Sequence, residues 1–480
     1  MWTKKAPSSL TLFFLLLLLL LLLLLSFNIV SSSCEASDHQ NNSAVSYSAV
    51  TSLPGLQGPL PFYLETGYVG VGESSRDQVF YYFVESERNP DEDPLVLWLD
   101  GGPGCSALCG LVYEIGPFQF KDAKYEGSLQ PALHLNPYSW TKVSNIIFTD
   151  QPVGTGFSYS IGTADYNNSD TKSVKQLHEF LRKWLLAHPR FMSNPLYVGG
   201  VSYAGKIVPI LALEIINGND DAGHKSFLNF KGYFVGNPVT GSQVDIKSRV
   251  PFAHGMGLIS DELYESAKMN CEGVHVEPKT EKCAEDLQQV ETLVGDLEEE
   301  HILYSRCPYD INAISGGRRI LSGVQTLLGM PISECLNYVH LLSKYWANNE
   351  VVKDALHVRK GTTTEWKRCK REMPYIHDIP QSLEYHAKVT SSGYRALIFS
   401  GDHDLLVSHV GTQAWIRSLN YSISVDWHPW YADGQVGGYT RTYSNNLTFA
   451  TVKGAGHVAP QHKPKECLPM FRKWISGSPL

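Results

Sequence analysis

Apolar residues along the chain follow two patterns, short continuous runs and runs with the spacing of a helix. The apolar residues that predict an amphipathic helix, capped by Asp170 and ended by Pro189, are Val174, Leu177, Leu181, Trp184 and Leu185. The continuous runs that predict buried strands lie at 78–84, 95–99, 145–149, 196–198, 228–236, 395–399 and 447–452. Strands that alternate with helices indicate an α/β fold with a mostly parallel sheet and helices on both faces.

Composition narrows the class of protein. The chain has 480 residues, of which 43% are hydrophobic and 18% charged, enough for a large core. Its net charge is −8 and it has no basic cluster, which argues against a nucleic-acid partner. It has no C-x-x-C pair and no H-E-x-x-H run, so we expect no metal and no cofactor.

The N-terminus has the pattern of a secretory signal peptide. Lys4 and Lys5 precede an apolar run over 12–25, and small residues follow up to Ala36. A signal anchor is the alternative, but the run is shorter than the span of about 20 residues that a membrane requires. We therefore expect residues 1–36 to be removed, no stable membrane insertion, and a mature domain over 37–480.

The cysteines and glycosylation sequons agree with a secreted chain. Nine cysteines are present, and Cys34 lies in the region of the expected cleavage. The remaining eight suggest disulfides, although spacing alone leaves 105 pairings open. N-x-S/T sequons, each a permitted glycosylation site that could also stay unmodified, begin at Asn41, Asn167, Asn420 and Asn446.

A serine follows the strand at 196–198 in a run of small residues, Gly-Gly-Val-Ser-Tyr-Ala-Gly over 199–205. A nucleophile elbow places such a serine, here Ser202, on a sharp turn between strand and helix. The positions two before and two after cannot carry bulk, and they are Gly200 and Ala204. An ordinary turn is the alternative for this run taken alone.

Three further strand ends complete the pattern of a serine hydrolase. A glycine-rich run over 100–106 follows the strand at 95–99, where lipases and esterases hold an oxyanion. Asp404 follows the strand at 395–399, and His457 follows the last strand. The order Ser202, Asp404, His457 is that of the α/β-hydrolase triad. Asp402 is the rival acid, and we expect it to cap its own turn.

Residues 242–343 differ in character from the rest. Strand alternation is weak there, and an acidic stretch lies at 296–300. We interpret the region as an insertion over the active face rather than a separate domain. A flexible dibasic segment at 316–319 predicts either a proteolytic processing site or an exposed, uncut loop.

The motifs at 98–106, 200–205, 401–404 and 454–457 resemble those of the plant serine carboxypeptidase-like family. The resemblance implies an α/β-hydrolase fold with a helical insertion, and oxyanion donors at the backbone N–H groups of Gly102 and Tyr203. It also implies a vacuolar location, with an extracellular location as the alternative, and, as in some members, excision of a linker at about 308–334, which would leave two chains. The disulfides it suggests, with Cys109 and Cys467 unassigned, are Cys105–Cys369, Cys271–Cys283 and Cys307–Cys335.

The family contains two activities, carboxypeptidases and acyltransferases. Its carboxypeptidases bind a C-terminal carboxylate with an Asn and two Glu residues, at positions that here hold Asp100, Val201 and Glu114. Val201 cannot bond a carboxylate, and an ionised Asp100 would repel it. Stretches at 251–256, 260–263, 426–430 and 438–441 resemble the acyltransferase branch, although that branch often has Asp at position 201.

The function expected from this resemblance is acyl transfer from a 1-O-acyl-glucose to an acceptor hydroxyl through an acyl-enzyme on Ser202. The alternatives are a serine carboxypeptidase and a non-catalytic partner subunit. The residues expected to bind substrate are Asp100, Gly101, Glu114 and Val201.

Overall fold

A twelve-stranded sheet forms the centre of the fold in a computed structural model that describes residues 45–121, 130–162, 166–221, 228–271, 278–306 and 336–480. Two-stranded sheets are formed by β5 with β6 and by β9 with β12. The strands are β1 (Val45–Val50), β2 (Leu64–Val71), β3 (Asp77–Val84), β4 (Leu95–Leu99), β5 (Phe118–Phe120), β6 (Leu133–Leu135), β7 (Asn145–Thr149), β8 (Tyr159–Ser160), β9 (Asn168–Ser169), β10 (Leu196–Val201), β11 (Phe230–Gly236), β12 (Tyr375–Ile376), β13 (Arg395–Gly401), β14 (Ile423–Ala432), β15 (Gln435–Tyr443) and β16 (Leu447–Val452).

The strand order explains how distant parts of the chain meet. The main sheet runs β1-β2-β3-β7-β4-β10-β11-β13-β16-β15-β14, and β8 pairs with β3. From β7 to β16 each neighbouring pair is parallel, and the flanking pairs are antiparallel. The carboxyl ends of the parallel strands therefore lie along one edge, and the segments after β4, β10, β11, β13 and β16 meet there.

Helices cover the sheet on both faces, as the alternating pattern predicts. The helices are α1 (Asp170–Ala187), α2 (Ala204–Asp221), α3 (Gln243–Lys247), α4 (Arg249–Gly255), α5 (Asp261–Asn270), α6 (Glu281–Val294), α7 (Leu336–Ala347), α8 (Glu350–Ala355), α9 (Leu383–Ser391), α10 (His409–Ser418), α11 (Ala459–His462) and α12 (Pro464–Ile475). Short turns of 3-10 or π geometry lie at Glu73–Ser75, Gly110–Glu114, Trp140–Lys142 and Pro189–Phe191.

The buried side chains divide into a cluster on each face of the sheet. Along β4, Trp98 belongs to one cluster, whereas Leu97 and Leu99 belong to the other. This alternation follows from the period of two residues in a strand. Helix α12 covers the first face, where its Phe471 stacks on Trp140 with ring centroids 4.0 Å apart. Helices α1 and α2 cover the second face. With both faces covered, the parallel strands are apolar almost throughout.

The start of α1 differs from the sequence prediction in one respect. Ser169, and not Asp170, caps the helix, because the Ser169 side chain accepts a hydrogen bond from the backbone N–H of Lys172. Asp170 is fully buried as the first helical residue, and an ion pair with Lys206 draws its carboxylate into the interior.

The region at 242–343 is helical where the structure describes it. Helices α3 to α6 occupy most of 243–294, and a disulfide between Cys271 and Cys283 joins the end of α5 to α6. The segment after α6 reaches the edge of the sheet, where the carbonyl of Glu300 accepts a 2.6 Å hydrogen bond from the backbone N–H of His457.

Some predictions concern residues outside the described ranges and stay predictions. They are the signal peptide at 1–36, the sequon at Asn41, the linker at about 308–334 and the Cys307–Cys335 bridge. Within the described ranges, no helix combines the length and apolar character that a membrane span needs.

Candidate active site

Ser202 lies on a sharp turn between β10 and α2. Its φ is +61°, a left-handed conformation that is uncommon for residues other than glycine. The turn is held by a 3.0 Å hydrogen bond from the Ser202 N–H to the Gly236 carbonyl. A Cβ on Gly200 would lie 2.5 Å from the Cβ of Ala204 and 2.5 Å from the Leu99 carbonyl oxygen. Ala204 is therefore tolerated because Gly200 has no side chain.

The glycine-rich loop after β4 lies directly against this turn. A Cβ on Gly101 would lie 2.7 Å from the Ser202 Cβ and 2.9 Å from the Tyr203 backbone nitrogen. The loop is joined to the 366–373 segment by the disulfide Cys105–Cys369 and by a 2.9 Å hydrogen bond from the Lys370 N–H to the Gly104 carbonyl. This approach brings the backbone of the loop beside Ser202 and the Tyr203 N–H, as an oxyanion site requires.

Asp150 holds the end of the same loop by hydrogen bonds, a role that was not predicted from the sequence. Its carboxylate accepts hydrogen bonds from the Ser106 hydroxyl at 2.6 Å, the Ala107 N–H at 2.9 Å and the Phe157 N–H at 2.8 Å. Burial raises the pKa of Asp150 to about 6, although the hydrogen bonds from Ser106, Phe157 and Ala107 act to lower it. The signal that could have identified this residue is an acid directly after the buried strand β7.

Asp404 and His457 meet at the ends of β13 and β16. The Oδ2 of Asp404 lies 2.7 Å from the Nδ1 of His457. The same oxygen accepts a 2.7 Å hydrogen bond from the Asn237 side chain, and Oδ1 accepts from the backbone N–H groups of Leu406 and Val407. Asn237 follows β11 and was also missed by the sequence analysis. These donors hold the Asp404 carboxylate in one orientation, in which Oδ2 faces the imidazole of His457.

The Asp404 carboxylate affects the pKa of His457. Burial alone would lower the pKa of His457, but attraction to Asp404 and the hydrogen bond between them outweigh it. The carboxylates of Glu300 and Glu114 add to this attraction, so that the pKa of His457 is raised above 6.5. An imidazolium at His457 is therefore stabilised, which a general base needs after it has taken a proton.

Asp402 contacts other groups than Asp404 does. Its Oδ1 accepts a 2.7 Å hydrogen bond from the Gly454 N–H and lies 2.6 Å from the Nδ1 of His403. It thus caps the turn that leads to His457 rather than its own turn, because the end of β16 lies beside the end of β13. The structure brings Asp404, and not Asp402, to His457.

Ser202 and His457 line one cavity of about 450 Å³. Its remaining lining mixes polar and apolar residues and includes three acids, two arginines and a second histidine. The expected substrate-binding residues Asp100, Gly101, Glu114 and Val201 all line it, together with Gly102, Glu300, Arg368, Arg371, Tyr375 and His377. Within the described ranges, no group of three or more His, Cys, Asp or Glu side chains is arranged to hold a metal ion.

Asp100 and Glu114 form a buried acid pair in the wall of this cavity. Burial and the neighbouring Glu114 raise the pKa of Asp100 well above its ordinary value. Burial likewise raises the pKa of Glu114, against hydrogen bonds from Asp100 and from the Trp98 indole. Two such acids cannot both ionise easily, so the pair retains a proton. The expectation that Asp100 is ionised is therefore wrong, because burial and the neighbouring Glu114 raise its pKa.

Three comparisons with known proteins place the chain among its relatives. A family model described as serine carboxypeptidase matches residues 54–477. The chain belongs to the serine carboxypeptidase family. Serine carboxypeptidase-like 7 of Arabidopsis thaliana is 52% identical over 437 residues, which cover 91% of this chain and 94% of the relative. Serine carboxypeptidase-like 17 of the same plant is 50% identical over 435 residues, 90% of this chain and 94% of the relative.

A solved structure supports the same fold. The prohormone-processing carboxypeptidase of Saccharomyces cerevisiae superposes with a TM-score of 0.67 at 22% identity, over 88% of this chain and 93% of that one. The α/β-hydrolase fold predicted from the sequence is confirmed, and so is the resemblance to the serine carboxypeptidase family.

The other predicted residues of this family member lie as follows. The disulfides Cys105–Cys369 and Cys271–Cys283 are present as the resemblance implied, and Cys109 and Cys467 are buried free thiols. The sequon asparagines Asn167, Asn420 and Asn446 are exposed, and their glycosylation stays a prediction.

Proposed function

We propose that this serine carboxypeptidase relative is an acyltransferase that moves an acyl group from a 1-O-acyl-glucose to an acceptor hydroxyl. Ser202 Oγ attacks the ester carbonyl while His457 takes the hydroxyl proton, and Asp404 orients the imidazole. The carbonyl oxygen becomes an oxyanion beside the N–H groups of Gly102 and Tyr203. The bond to the sugar oxygen then breaks, His457 returns the proton to that oxygen, and glucose leaves.

The second half of the reaction repeats these steps with another alcohol. The acceptor hydroxyl gives its proton to His457 and attacks the acyl carbon on Ser202. When the tetrahedral intermediate collapses, the bond to Ser202 Oγ breaks, His457 returns the proton to the serine, and the new ester is released. Atoms and protons balance without a cofactor.

The observation that carries the proposal is the acid pair of Asp100 and Glu114 beside Val201. A peptide C-terminus is an anion and needs hydrogen-bond donors, but the Val201 side chain offers none, and the proton that the acid pair retains is used in the hydrogen bond between Asp100 and Glu114. A sugar is a set of hydroxyl donors, which carboxyl oxygens accept well. The cavity therefore suits the polyol half of an acyl-glucose better than a free carboxylate.

Carboxypeptidase activity remains a second candidate because of Arg368. Its buried guanidinium lines the same cavity, and no carboxylate among the described residues forms an ion pair with it. Arginine binds carboxylates in bidentate geometry, so Arg368 could hold the C-terminus of a peptide or an acidic acceptor.

The test is a substrate panel with one inactive control. Purified protein is incubated with phenolic acyl-glucoses and an acceptor alcohol, and separately with blocked dipeptides, with Ser202→Ala in parallel. We expect ester product that depends on Ser202 and little release of amino acids. Efficient dipeptide hydrolysis without any transesterification would overturn the proposal in favour of the carboxypeptidase.

We also propose that the protein passes through the secretory pathway to the vacuole, carries glycans, and is cut in the 308–334 segment. The Cys105–Cys369 bridge spans that segment and would keep two chains together after the cut. Denaturing gels of protein from its native tissue should show two bands under reduction and one without it. A single full-length band under both conditions would contradict the cut.

A further inference from the structure

A buried polar network adjoins the nucleophile through its neighbour Tyr203. The carboxylate of Asp170 is fully buried and forms a 2.9 Å ion pair with Lys206, which is also buried. Its other oxygen accepts hydrogen bonds from the phenol groups of Tyr203 at 2.6 Å and Tyr375 at 3.0 Å. The backbone N–H of Ile379 adds a further donor. Every neighbour of this carboxylate is a donor, so Asp170 acts only as an acceptor.

The direction of the remaining hydrogen bonds follows from this arrangement. The single phenol proton of Tyr203 is used in the hydrogen bond that Tyr203 donates to Asp170. Burial together with that hydrogen bond raises the pKa of Tyr203, so the phenol stays protonated. The Tyr203 oxygen therefore has only lone pairs for its other contacts. One contact is the Lys206 ammonium at 3.3 Å, and the other is Nδ1 of His377 at 2.6 Å. Nδ1 of His377 must accordingly carry a proton and donate it.

A histidine that donates from Nδ1 has Nε2 available as an acceptor when it is neutral. His377 is exposed and lines the same cavity as Ser202 and His457. Since Nδ1 faces the buried Tyr203, Nε2 lies on the outward edge of the ring, and no polar group of the described ranges is hydrogen-bonded to it. Tyr375 packs against the imidazole with ring centroids 5.2 Å apart and restricts its rotation. The result is an oriented acceptor in the wall of the cavity.

We propose that His377 is a substrate-binding residue whose Nε2 accepts a hydrogen bond from a hydroxyl group of the substrate. The proposal rests on the proposed function in one respect, that the substrate is a hydroxyl-bearing ester. The hydroxyl can belong to the acyl half, as in a phenolic acid, or to the alcohol half, as in glucose. The chemistry at Nε2 is the same in both cases, and the substrates of the test separate them.

Two variants distinguish the two nitrogens of the ring. In His377→Asn the side-chain amide takes the place of Nδ1 and still donates to Tyr203, but nothing replaces Nε2. In His377→Gln the longer side chain places an amide oxygen near the position of Nε2 and gives up the contact with Tyr203. If His377 only supports Tyr203, the Gln variant is the more damaged, whereas substrate binding through Nε2 makes the Asn variant the more damaged.

The measurement is kcat/KM for three esters with matched halves: p-nitrophenyl cinnamate, p-nitrophenyl 4-hydroxycinnamate and 1-O-cinnamoyl-glucose. For His377→Asn we expect a loss of about three- to tenfold, the range of one neutral hydrogen bond, on one of the two hydroxylated esters and none on p-nitrophenyl cinnamate. Loss on the hydroxycinnamate assigns the hydroxyl to the acyl half, and loss on the glucose ester assigns it to the alcohol half. His377→Gln should retain most of the activity on that ester.

Equal losses on all three esters, or no loss on either hydroxylated ester, would overturn the proposal. Its failure can be told apart from failure of the acyl-glucose proposal. If the wild-type protein cleaves both p-nitrophenyl esters but not 1-O-cinnamoyl-glucose, the acyl-glucose proposal is wrong. The comparison of the two p-nitrophenyl esters then still decides whether His377 binds a hydroxyl.

Discussion

Replacement of Asp150 by asparagine tests how the loop beside Ser202 is held in place. The carboxylate is fully buried, and its three hydrogen bonds join the loop residues Ser106 and Ala107 to Phe157. Asparagine has the same shape but carries one acceptor and one donor group. One of the three donors must then face an NH₂ group, which costs about 1–3 kcal/mol for the buried group left without a partner.

The raised pKa of Asp150 determines how the stability of the folded protein changes with pH. The pKa of Asp150 is raised from 3.8 to about 6 in the folded protein. Below 3.8 the acid is protonated in both the folded and the unfolded chain, so it carries no ionisation penalty. As the pH rises through 6, the unfolded chain ionises more easily than the folded one, and stability is lost. Since each pKa unit is worth about 1.4 kcal/mol, the loss is about 3 kcal/mol between these limits.

The assay is urea unfolding of the wild type and of Asp150→Asn at about pH 4 and about pH 7. The variant has no carboxyl at this position, so the difference in unfolding free energy between the two proteins isolates Asp150 from all other titrating groups. We expect the wild type to lose about 2 kcal/mol of stability relative to the variant between the acidic and the neutral pH. Asp296→Asn, which changes a fully exposed aspartate, is the matched control and should leave the pH dependence unchanged.

A pH dependence that is the same in the wild type and in Asp150→Asn would refute this reasoning. It would mean that Asp150 is solvated in the folded protein, or that its hydrogen bonds offset the cost of burial completely. A variant that is less stable by the same amount at both pH values would show the lost hydrogen bonds without any effect of the buried charge.

Three further predictions concern the residues proposed to be catalytic. Ser202→Ala and His457→Ala should each reduce turnover by about 10³- to 10⁶-fold in a protein that still folds, measured by initial rates and circular dichroism; near-normal rates in either would exclude the proposed nucleophile or base. Asp404→Asn should be inactive, whereas Asp402→Asn, whose amide oxygen can still accept from the Gly454 N–H, should retain activity; the reverse result would reassign the acid. kcat/KM should rise with pH as His457 loses its proton, with a pKa above 6.5. Glu300→Gln should shift this rise to lower pH because it removes a negative charge that attracts the His457 proton, and an unshifted pH profile would show that Glu300 exerts no such attraction.

The residues whose positions in the fold could be predicted from the sequence are those that follow strands of the parallel sheet. Ser202, Asp404 and His457 each follow the end of a strand within a few residues, and a parallel sheet brings such ends together wherever they lie in the chain. Asn237 follows the same rule at the end of β11, and only its neutral side chain kept it from being chosen. For these positions, local pattern and topology together determine proximity.

The supporting residues could not be predicted because their partners are remote in sequence. Asp150 acts on Ser106, 44 residues away, and Tyr203 meets His377, 174 residues away. Neither distance is marked by any periodicity. The ionisation of Asp100 was misjudged for a related reason, since the sequence does not show that Glu114 is buried beside it. Pairing across the fold, rather than residue type, sets these properties.

A fall in pH has opposite effects on the stability of this site and on its chemistry. Burial raises the pKa of Asp100, Glu114 and Asp150, so these acids cost the fold less stability as the pH falls. At His457, attraction to Asp404 outweighs burial and raises the pKa, so the neutral base is depleted as the pH falls. The same acidic surroundings that favour the folded protein at low pH therefore slow its chemistry there. In the proposed vacuolar location, the protein would gain persistence at the expense of rate, and the activity per molecule should increase when the purified protein is transferred from acidic to neutral buffer.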